Sequence, residues 1–547
     1  MEHVTEGRVL LVDDERLVRF TISAWLKSAH FEVTAVETPE AAIAELKKCP
    51  YDAILSDVMM GVVDGFMFRD VVRGFDAKIP MLFLTALVNS PSNRLLEKVS
   101  ADPYSYYVPK NARRDFLLGR LRQAVSACRA EREAGELKAQ LEAELRIAAR
   151  VQRAMLPPHV RYGEGIFYSA LWRPRNIVSG DLFSWFPLGA QSAAVFFGDI
   201  SGHGAPAAMA MTAVLAHLKE LETFHAVKTR QPELICREIH KFIRRHLNDV
   251  TYVAGTVLFV DFGKRRVRYL NAGGLDPLCF QRCDGTCVPL NPEGRGCLPM
   301  GLVDDAVYDK SNVVECELPE DGVLCLYSDG FVDLTTDEAG ENRVPREMFV
   351  ELLSELIRCT SGTTDIASVP HRLVAALNDM GYVHAQDDRT FCLIGSPMNV
   401  HDIRFIASVP MNDPNAVSCT VDDASRWAMR HGCSDDLVAR LELLLSEHLE
   451  NVRKHGLDDE MRRYEVGIVE IRSTGFGLDV LAWDRGCPYE GGLTEAVSHP
   501  DVRLDEQNAG LKADGRGLAI LQKVCQHISY ENFDGLNKFT FTLGERL

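Results

Sequence analysis

Short apolar runs that stop at aspartate recur along this chain of 547 residues, and they constrain it more than any other feature. The run Ala193-Ala194-Val195-Phe196-Phe197 leads into Gly198-Asp199-Ile200-Ser201-Gly202-His203-Gly204, and an Ala-rich helical pattern from Ala205 to Ala216 follows. A carboxylate at a strand end, followed by glycines that let the backbone turn tightly, suits a hard cation. Gly180-Asp181 lies upstream, Asp329-Gly330 follows Val323-Leu324-Cys325-Leu326-Tyr327, and Asp387-Asp388 precedes Arg389-Thr390-Phe391-Cys392-Leu393-Ile394. One such loop is usually a plain turn. Several carboxylates at strand ends make a candidate metal centre.

The length exceeds what one core supports and predicts three or four domains. The apolar fraction of 46% and charged fraction of 25% are those of ordinary globular chains. There is no apolar run of about 18 residues and no charged-then-apolar leader, so neither a membrane segment nor secretion is expected. The 15 cysteines are scattered without a paired framework, which fits a reducing cytoplasm. Cys279, Cys283, Cys287 and Cys297 cluster, but the segment reads as a hairpin without a C-x-x-C pair, hence as reduced thiols rather than a zinc site. A net charge of −18 argues against binding of phosphate backbones, and no basic helix-turn-helix follows the first domain. No direct nucleic-acid contact is expected.

The four aspartate motifs, together with Leu270-Asn271-Ala272-Gly273-Gly274 and Leu298-Pro299-Met300-Gly301-Leu302, resemble the metal-dependent phosphatases of the SpoIIE type, relatives of the PP2C fold, over about residues 160 to 397. The resemblance implies an αββα sandwich that hydrolyses phosphoserine or phosphothreonine. It implies Asp181, Asp199, Asp329 and Asp387 as ligands of two Mn²⁺ or Mg²⁺ ions, Asp199 shared between them, with Gly202 shaping the loop. An all-oxygen set suits these ions rather than zinc, and His203 reads as a loop residue rather than a general acid. Ser179, Ser184 and Gly274 depart from the family pattern at positions outside the ligand set.

Residues 1 to 125 show a βαβα order. Arg8-Val9-Leu10-Leu11-Val12 ends at Asp13-Asp14, Tyr51-Asp52-Ala53-Ile54-Leu55-Ser56 ends at Asp57, and Pro80-Met81-Leu82-Phe83-Leu84 ends at Thr85, with helical patterns between. In a parallel sheet the ligand crevice lies outside the carboxyl ends of the strands, which brings Asp13, Asp14, Asp57 and Thr85 together. Packed carboxylates call for a divalent cation, and Lys110 can face a phosphoryl group. This constellation resembles a flavodoxin-like two-component receiver domain. The resemblance implies Asp57 as phosphoacceptor, Asp13 and Asp14 as Mg²⁺ ligands, Thr85 and Lys110 as phosphoryl contacts, and Tyr107 as the switch aromatic; its phosphodonor would be a sensor histidine kinase or a phosphotransfer protein. Gly61 and Pro109 depart from that family's usual loop.

Between these domains, residues 126 to 158 read as a helical connector. Glu131 to Met155 is rich in Ala, Leu, Glu and Arg, with Leu137, Leu141, Leu145, Ala148, Gln152 and Met155 at spacings of four and three, and Pro157-Pro158 ends it. The stripe suits a helix pair in a homodimer. Ile147 to Pro157 resembles the lead-in helix of SpoIIE-type phosphatases joined to sensory domains.

In residues 400 to 547, Asp435 to His455 has one apolar face, with Glu447 and Asn451 an i,i+4 pair. Leu478-Asp479-Val480-Leu481-Ala482-Trp483 ends at Asp484-Arg485-Gly486, and Gly510 to Leu521 is a Gly-rich loop running into a helix, where backbone N–H groups can receive phosphates. Together these resemble the GHKL ATPases, a Bergerat-type α/β sandwich, and in particular the serine kinases that act as anti-sigma factors. The resemblance implies Glu447 as general base, Asn451 as ligand of Mg-ATP, Asp484 as reader of the adenine amino group, and Gly486, Gly515 and Gly517 along the nucleotide.

The chain thus reads as an α/β and α+β multidomain response regulator. Opposing phosphatase and kinase activities would act on a Ser of a STAS-type anti-sigma-factor antagonist, switched by phosphorylation of Asp57, with a sigma or anti-sigma factor as a further partner. The alternative is an active phosphatase whose ATPase-like domain only sequesters the antagonist or a sigma factor.

Overall fold

The computed structural model describes residues 5–60, 64–85, 102–163, 165–221, 227, 230–247, 251–360, 365–396, 404–457, 462, 465–474, 477–488 and 521–544. They form two compact units, Met1–Ala143 and Glu144–Leu547. Among them no helix is long and apolar enough to cross a membrane.

The first unit carries a five-stranded parallel sheet. Its order is Phe31–Val36, Gly7–Val12, Ala53–Asp57, Met81–Thr85, Ser105–Pro109. Both faces of the central strands are covered, so these are largely apolar: Val9, Leu11, Leu55 and Leu84 pack on one side, Leu10, Val12, Ile54 and Phe83 on the other. Two of its helices, Pro39–Leu46 and Gly65–Arg73, start where a side chain caps their first amides. The Thr38 side chain accepts from Ala41 N–H with Pro39 in the first turn, and Asp64 accepts from Met67 N–H at 2.7 Å.

The helix expected over Glu131 to Met155 is part of a longer one, Arg114–Met155, of 42 residues. No proline interrupts it, and the straight-chain residues that favour helix begin well before residue 131. Leu117, Leu118, Leu121, Ala124 and Val125 pack in the core of the first unit, whereas Leu137, Leu141, Ile147 and Val151 are exposed.

In the second unit two antiparallel sheets face each other. One runs Val314–Glu317, Arg266–Ala272, Val253–Asp261, Ser192–Ile200, Leu182–Pro187. The other runs Cys287–Val288, Leu278–Gln281, Gly322–Tyr327, Arg389–Gly395, Ile166–Arg173, Val160–Gly163. Helices Ala205–Leu221 and Pro232–His246 cover the first sheet, and Arg346–Arg358 and Val369–Asp379 cover the second, which completes an αββα sandwich. Cys279 and Cys287 lie in the hairpin of Leu278–Gln281 and Cys287–Val288, and among the described residues the four clustered cysteines form no group at ligand distance.

A further antiparallel sheet has the order Arg404–Pro410, Val466–Thr474, Gly477–Asp484, Leu536–Gly544, His527–Phe533. Helices Pro414–Arg430 and Asp435–Asn451 pack on one face. The helical pattern read to His455 ends as α-helix at Asn451 and continues as a π-helical turn, Val452–Gly456. The other face of the sheet, through Val466, Ile468, Trp483 and Leu536, packs on Val160 and Ala367 of the αββα sandwich. Glu465 sits in that seam with Arg153 at 3.4 Å, His159 at 3.1 Å and Arg485 at 3.7 Å.

Candidate functional site

At the carboxyl edge of the parallel sheet, Asp13, Asp14, Glu15 and Asp57 each bring a carboxylate oxygen within 4.8 Å of the others, a set that fits one divalent cation. Lys110 Nζ reaches Asp57 Oδ2 at 2.8 Å, Asp13 Oδ2 at 3.0 Å and Glu15 Oε1 at 3.0 Å. Burial alone would lower the Lys110 pKa, but the three carboxylates outweigh it and hold the amine above its usual range. Burial raises Asp13. Pro109 does not displace Lys110: strand Ser105–Pro109 stays paired with Met81–Thr85, and Lys110 N–H donates to Thr85 O at 2.7 Å. Thr85 is buried and Tyr107 half-buried in these two strands. Glu15, the residue after Asp13-Asp14 at the same strand end, joins the set beyond the expected members.

The second site lies between the sheets of the sandwich. Asp199 is on strand Ser192–Ile200 opposite Ala254, and Asp181 immediately precedes the neighbouring strand Leu182–Pro187. Asp329 follows Gly322–Tyr327 and Asp387 precedes Arg389–Gly395 in the opposing sheet. Burial first, then the charges of Asp181, Asp329, Asp387 and Asp388, pushes Asp199 well above the usual carboxylate range; burial also raises Asp181, against the hydroxyls of Thr390 and Ser328 and with the charges of Asp388 and Asp329. Asp181 Oδ2 is buried with no hydrogen-bond partner among the described residues. Mutually repelling, partly orphaned carboxylates are the donor set that a divalent cation neutralises. Among the described residues no three of them bring oxygens within 4.8 Å of one another, a wider spread than the first site's. Gly202 has φ +91°, a conformation open to glycine, and with Gly204 turns the chain into helix Ala205–Leu221, while His203 is exposed.

Gln152, near the end of the long helix and 1% exposed, grips the segment before Asp181 and the first turn of helix Ala205–Leu221. Its Nε2 donates to Ser179 O at 2.8 Å and Ala208 O at 3.1 Å, and its Oε1 accepts from Ser179 N–H at 3.2 Å. The sequence marks Gln152 only as a polar member of an apolar stripe.

At the third site Glu447 and Asn451 are half-buried on the last turn of Asp435–Asn451, whose π-helical continuation brings Gly456 O to Cys487 N–H at 2.8 Å. Asp484 is buried at the end of Gly477–Asp484, and its Oδ1 accepts from Gly486 N–H and Asn537 Nδ2, both at 2.8 Å. Its Oδ2 is buried with no partner among the described residues, and burial pushes its pKa up to about 6. An unsatisfied buried acceptor fits the exocyclic amine of a purine. Asn537, which holds Asp484, carries no signal in the sequence. Gly515 and Gly517 lie outside the described residues.

Residues 9–122 match the family described as response regulator receiver domain, residues 189–396 that of stage II sporulation protein E (SpoIIE), and residues 411–543 that of histidine kinase-like ATPase domain. This chain joins, in this order, a receiver-type, a SpoIIE-type and a histidine-kinase-like ATPase-type domain. It is 22% identical over 200 residues to phosphoserine phosphatase RsbP of Bacillus subtilis, covering 37% of this chain and 48% of RsbP. It is 21% identical over 215 residues to phosphoserine phosphatase RsbU of the same organism, covering 39% and 61%. The chain thus spans about half to three-fifths of these relatives' lengths. A solved structure of RsbU and RsbW domains from Mycobacterium tuberculosis is 18% identical, covers 72% of this chain and 97% of that one, and has a TM-score of 0.37.

Proposed function

We propose that the chain is a cytoplasmic response regulator whose SpoIIE-type domain removes phosphate from a serine of a STAS-type anti-sigma-factor antagonist, and whose ATPase-like domain rephosphorylates that serine. The observation that carries the phosphatase reading is that Asp181 and Asp199 at one sheet face Asp329 and Asp387 at the other closely enough for their charges to raise the Asp199 pKa, with Asp181 buried and Asp199 half-buried. Asp181, Asp199, Asp329 and Asp387 would hold two Mn²⁺ or Mg²⁺ ions, which supply a water of lowered pKa and charge neutralisation at phosphorus. The protein's own part is to hold these carboxylates at strand ends and to shape the Gly202 loop beside them. Asp14 and Asp13 would hold Mg²⁺ beside Asp57 in the receiver, with Thr85, Tyr107 and Lys110 responding to the phosphoryl group. In the ATPase-like domain Glu447 would act as general base, Asn451 would complete the Mg-ATP shell, Asp484 would take the adenine amino group, and Gly486, Gly515 and Gly517 would line the nucleotide. Of the expected stripe, Leu137 and Leu141 are exposed, whereas Gln152 is buried and Met155 packs on the sandwich core, so pairing of two such helices in a homodimer would run through the Leu137 and Leu141 end. A sensor histidine kinase or phosphotransfer protein would feed Asp57.

The deciding experiment incubates the full chain with a serine-phosphorylated antagonist after exhaustive chelation, then with Mn²⁺. Hydrolysis should require added metal; hydrolysis undiminished by chelation would overturn the reading. Transfer of γ-phosphate from ATP to the unphosphorylated antagonist separates a kinase from a domain that only sequesters its partner.

A further inference from the structure

Asp388 follows Asp387 directly, is 7% exposed, and has none of the roles assigned so far. Both of its carboxylate oxygens are taken by backbone amides of a distant segment. Oδ1 accepts from Arg175 N–H at 2.7 Å and Oδ2 from Gly180 N–H at 2.8 Å. Those two amides bracket the crossover that leaves one sheet at Arg173 and enters the other at Leu182, delivering Asp181 on the way. The same residue touches the flanks of two further carboxylates. Its N–H donates to Asp387 Oδ1 at 2.8 Å, and its carbonyl accepts from Ser328 Oγ at 3.3 Å, next to Asp329. That carbonyl also lies so close to Gly330 that a Cβ there would sit 1.9 Å from it, so the Asp329-Gly330 turn admits no side chain at its second position.

Carboxylates that repel one another cannot hold their own spacing before a cation arrives. The apolar core holds the sheets together, but the strand ends that carry the carboxylates need a local tie, and charge-assisted bonds from two amides to one buried carboxylate supply one. We propose that Asp388 is the positioning residue of this site: it straps the crossover carrying Asp181 to the strand ends carrying Asp329 and Asp387, and so sets the affinity for divalent ions. This rests on the reading of the four aspartates as metal ligands of a phosphatase.

The test measures Mn²⁺ affinity by electron paramagnetic resonance and turnover as a function of Mn²⁺, on the full chain with Asp13→Asn silencing the receiver pocket and no nucleotide present. Asp388→Asn sets an amide N–H₂ against one of the two backbone donors. It should raise the Mn²⁺ dissociation constant by about tenfold or more, equivalent to 1.4 kcal/mol, and excess Mn²⁺ should restore most of the turnover. Asp387→Asn, a lost ligand, should not be restored. Asp388→Glu keeps the charge but changes its reach, should show the same loss of affinity, and serves in the assay if Asp388→Asn does not fold. Wild-type Mn²⁺ affinity in either variant overturns the proposal, as does turnover that no Mn²⁺ concentration restores. Should the parent chain bind Mn²⁺ yet hydrolyse no phosphoserine, the phosphatase reading falls while the affinity comparison still decides the role of Asp388.

Discussion

Asp199 differs from an ordinary strand residue in that its neighbours punish its charge: burial and then Asp181, Asp329, Asp387 and Asp388 all raise its pKa. Asp199→Ala therefore removes a repelling group from the metal-free protein, which should unfold no more readily than the parent in urea. Hydrolysis should nevertheless fall by about 10²–10³-fold or more, the scale of losing one oriented electrostatic group. Activity near the parent level in an Asp199→Ala variant would refute its role as a shared ligand. Asn451 supports a parallel expectation on the ATPase side. Asn451→Ala removes the amide oxygen from the end of Asp435–Asn451 and should weaken Mg-ATP binding by about tenfold or more in calorimetry; unchanged affinity would place the nucleotide elsewhere.

Elements carry information that single residues do not. The helix Arg114–Met155 ends by inserting Gln152 between Ser179 and Ala208, so the helix end and the loop before Asp181 share hydrogen bonds. Gln152→Ala leaves the Ser179 amide and carbonyl buried without those partners, at about 1–3 kcal/mol for each unsatisfied group, and thermal unfolding of the second unit should show the loss. Helix Asp435–Asn451 adds a pH dependence. His448 lies edge-on to Phe539 and Phe541, with centroids 4.8 and 5.2 Å away, and burial holds its pKa down at about 4 from 6.5. Because the folded pKa is the lower one, the unfolded chain binds more protons between these values. Stability is complete above about pH 6.5 and falls toward pH 4, by up to about 3 kcal/mol from this group. His159 and His371 in the neighbouring seam are lowered by burial and share that sign. The protection factors of strand Leu536–Gly544, exchange rates divided out by the intrinsic rate at each pH, should fall as pH drops from 7 to 5, and less so in His448→Leu; identical pH profiles would discount His448. What was legible follows from the same physics. Apolar runs ending in Asp199, Asp57 or Asp484 show themselves because strand period and chain punctuation are local. Gln152 and Asn537 gain their partners only through tertiary placement, so no local pattern marks them. The packing of the ATPase sheet on the sandwich did leave a trace, since Val466-Gly467-Ile468-Val469 is apolar on both strand faces.

At the scale of the whole molecule the question is what Asp57 controls. An aspartyl phosphate replaces one carboxylate charge with a dianionic group, and in the present structure Lys110 already spans Asp57, Asp13 and Glu15, so its ion pairs must redistribute when the phosphoryl group arrives. Strand Ser105–Pro109 carries Tyr107 just ahead of Lys110, and helix Arg114–Met155 begins soon after it. A change at Lys110 is therefore made close in sequence to a helix whose far end holds Gln152 against the loop before Asp181. If two copies of that helix pair through its exposed Leu137 and Leu141, a bias of only about 1.4 kcal/mol between two pairings shifts their ratio tenfold. Beryllofluoride, which mimics the aspartyl phosphate, should therefore raise phosphatase turnover on the phosphorylated antagonist and change the ratio of phosphatase to kinase rates. Asp57→Ala should abolish the response without abolishing the basal hydrolysis. Lys110→Ala should weaken it, because the cation that follows the phosphoryl group is gone. Phosphatase and kinase rates that are both unmoved by beryllofluoride in the parent chain would show that Asp57 does not govern the output.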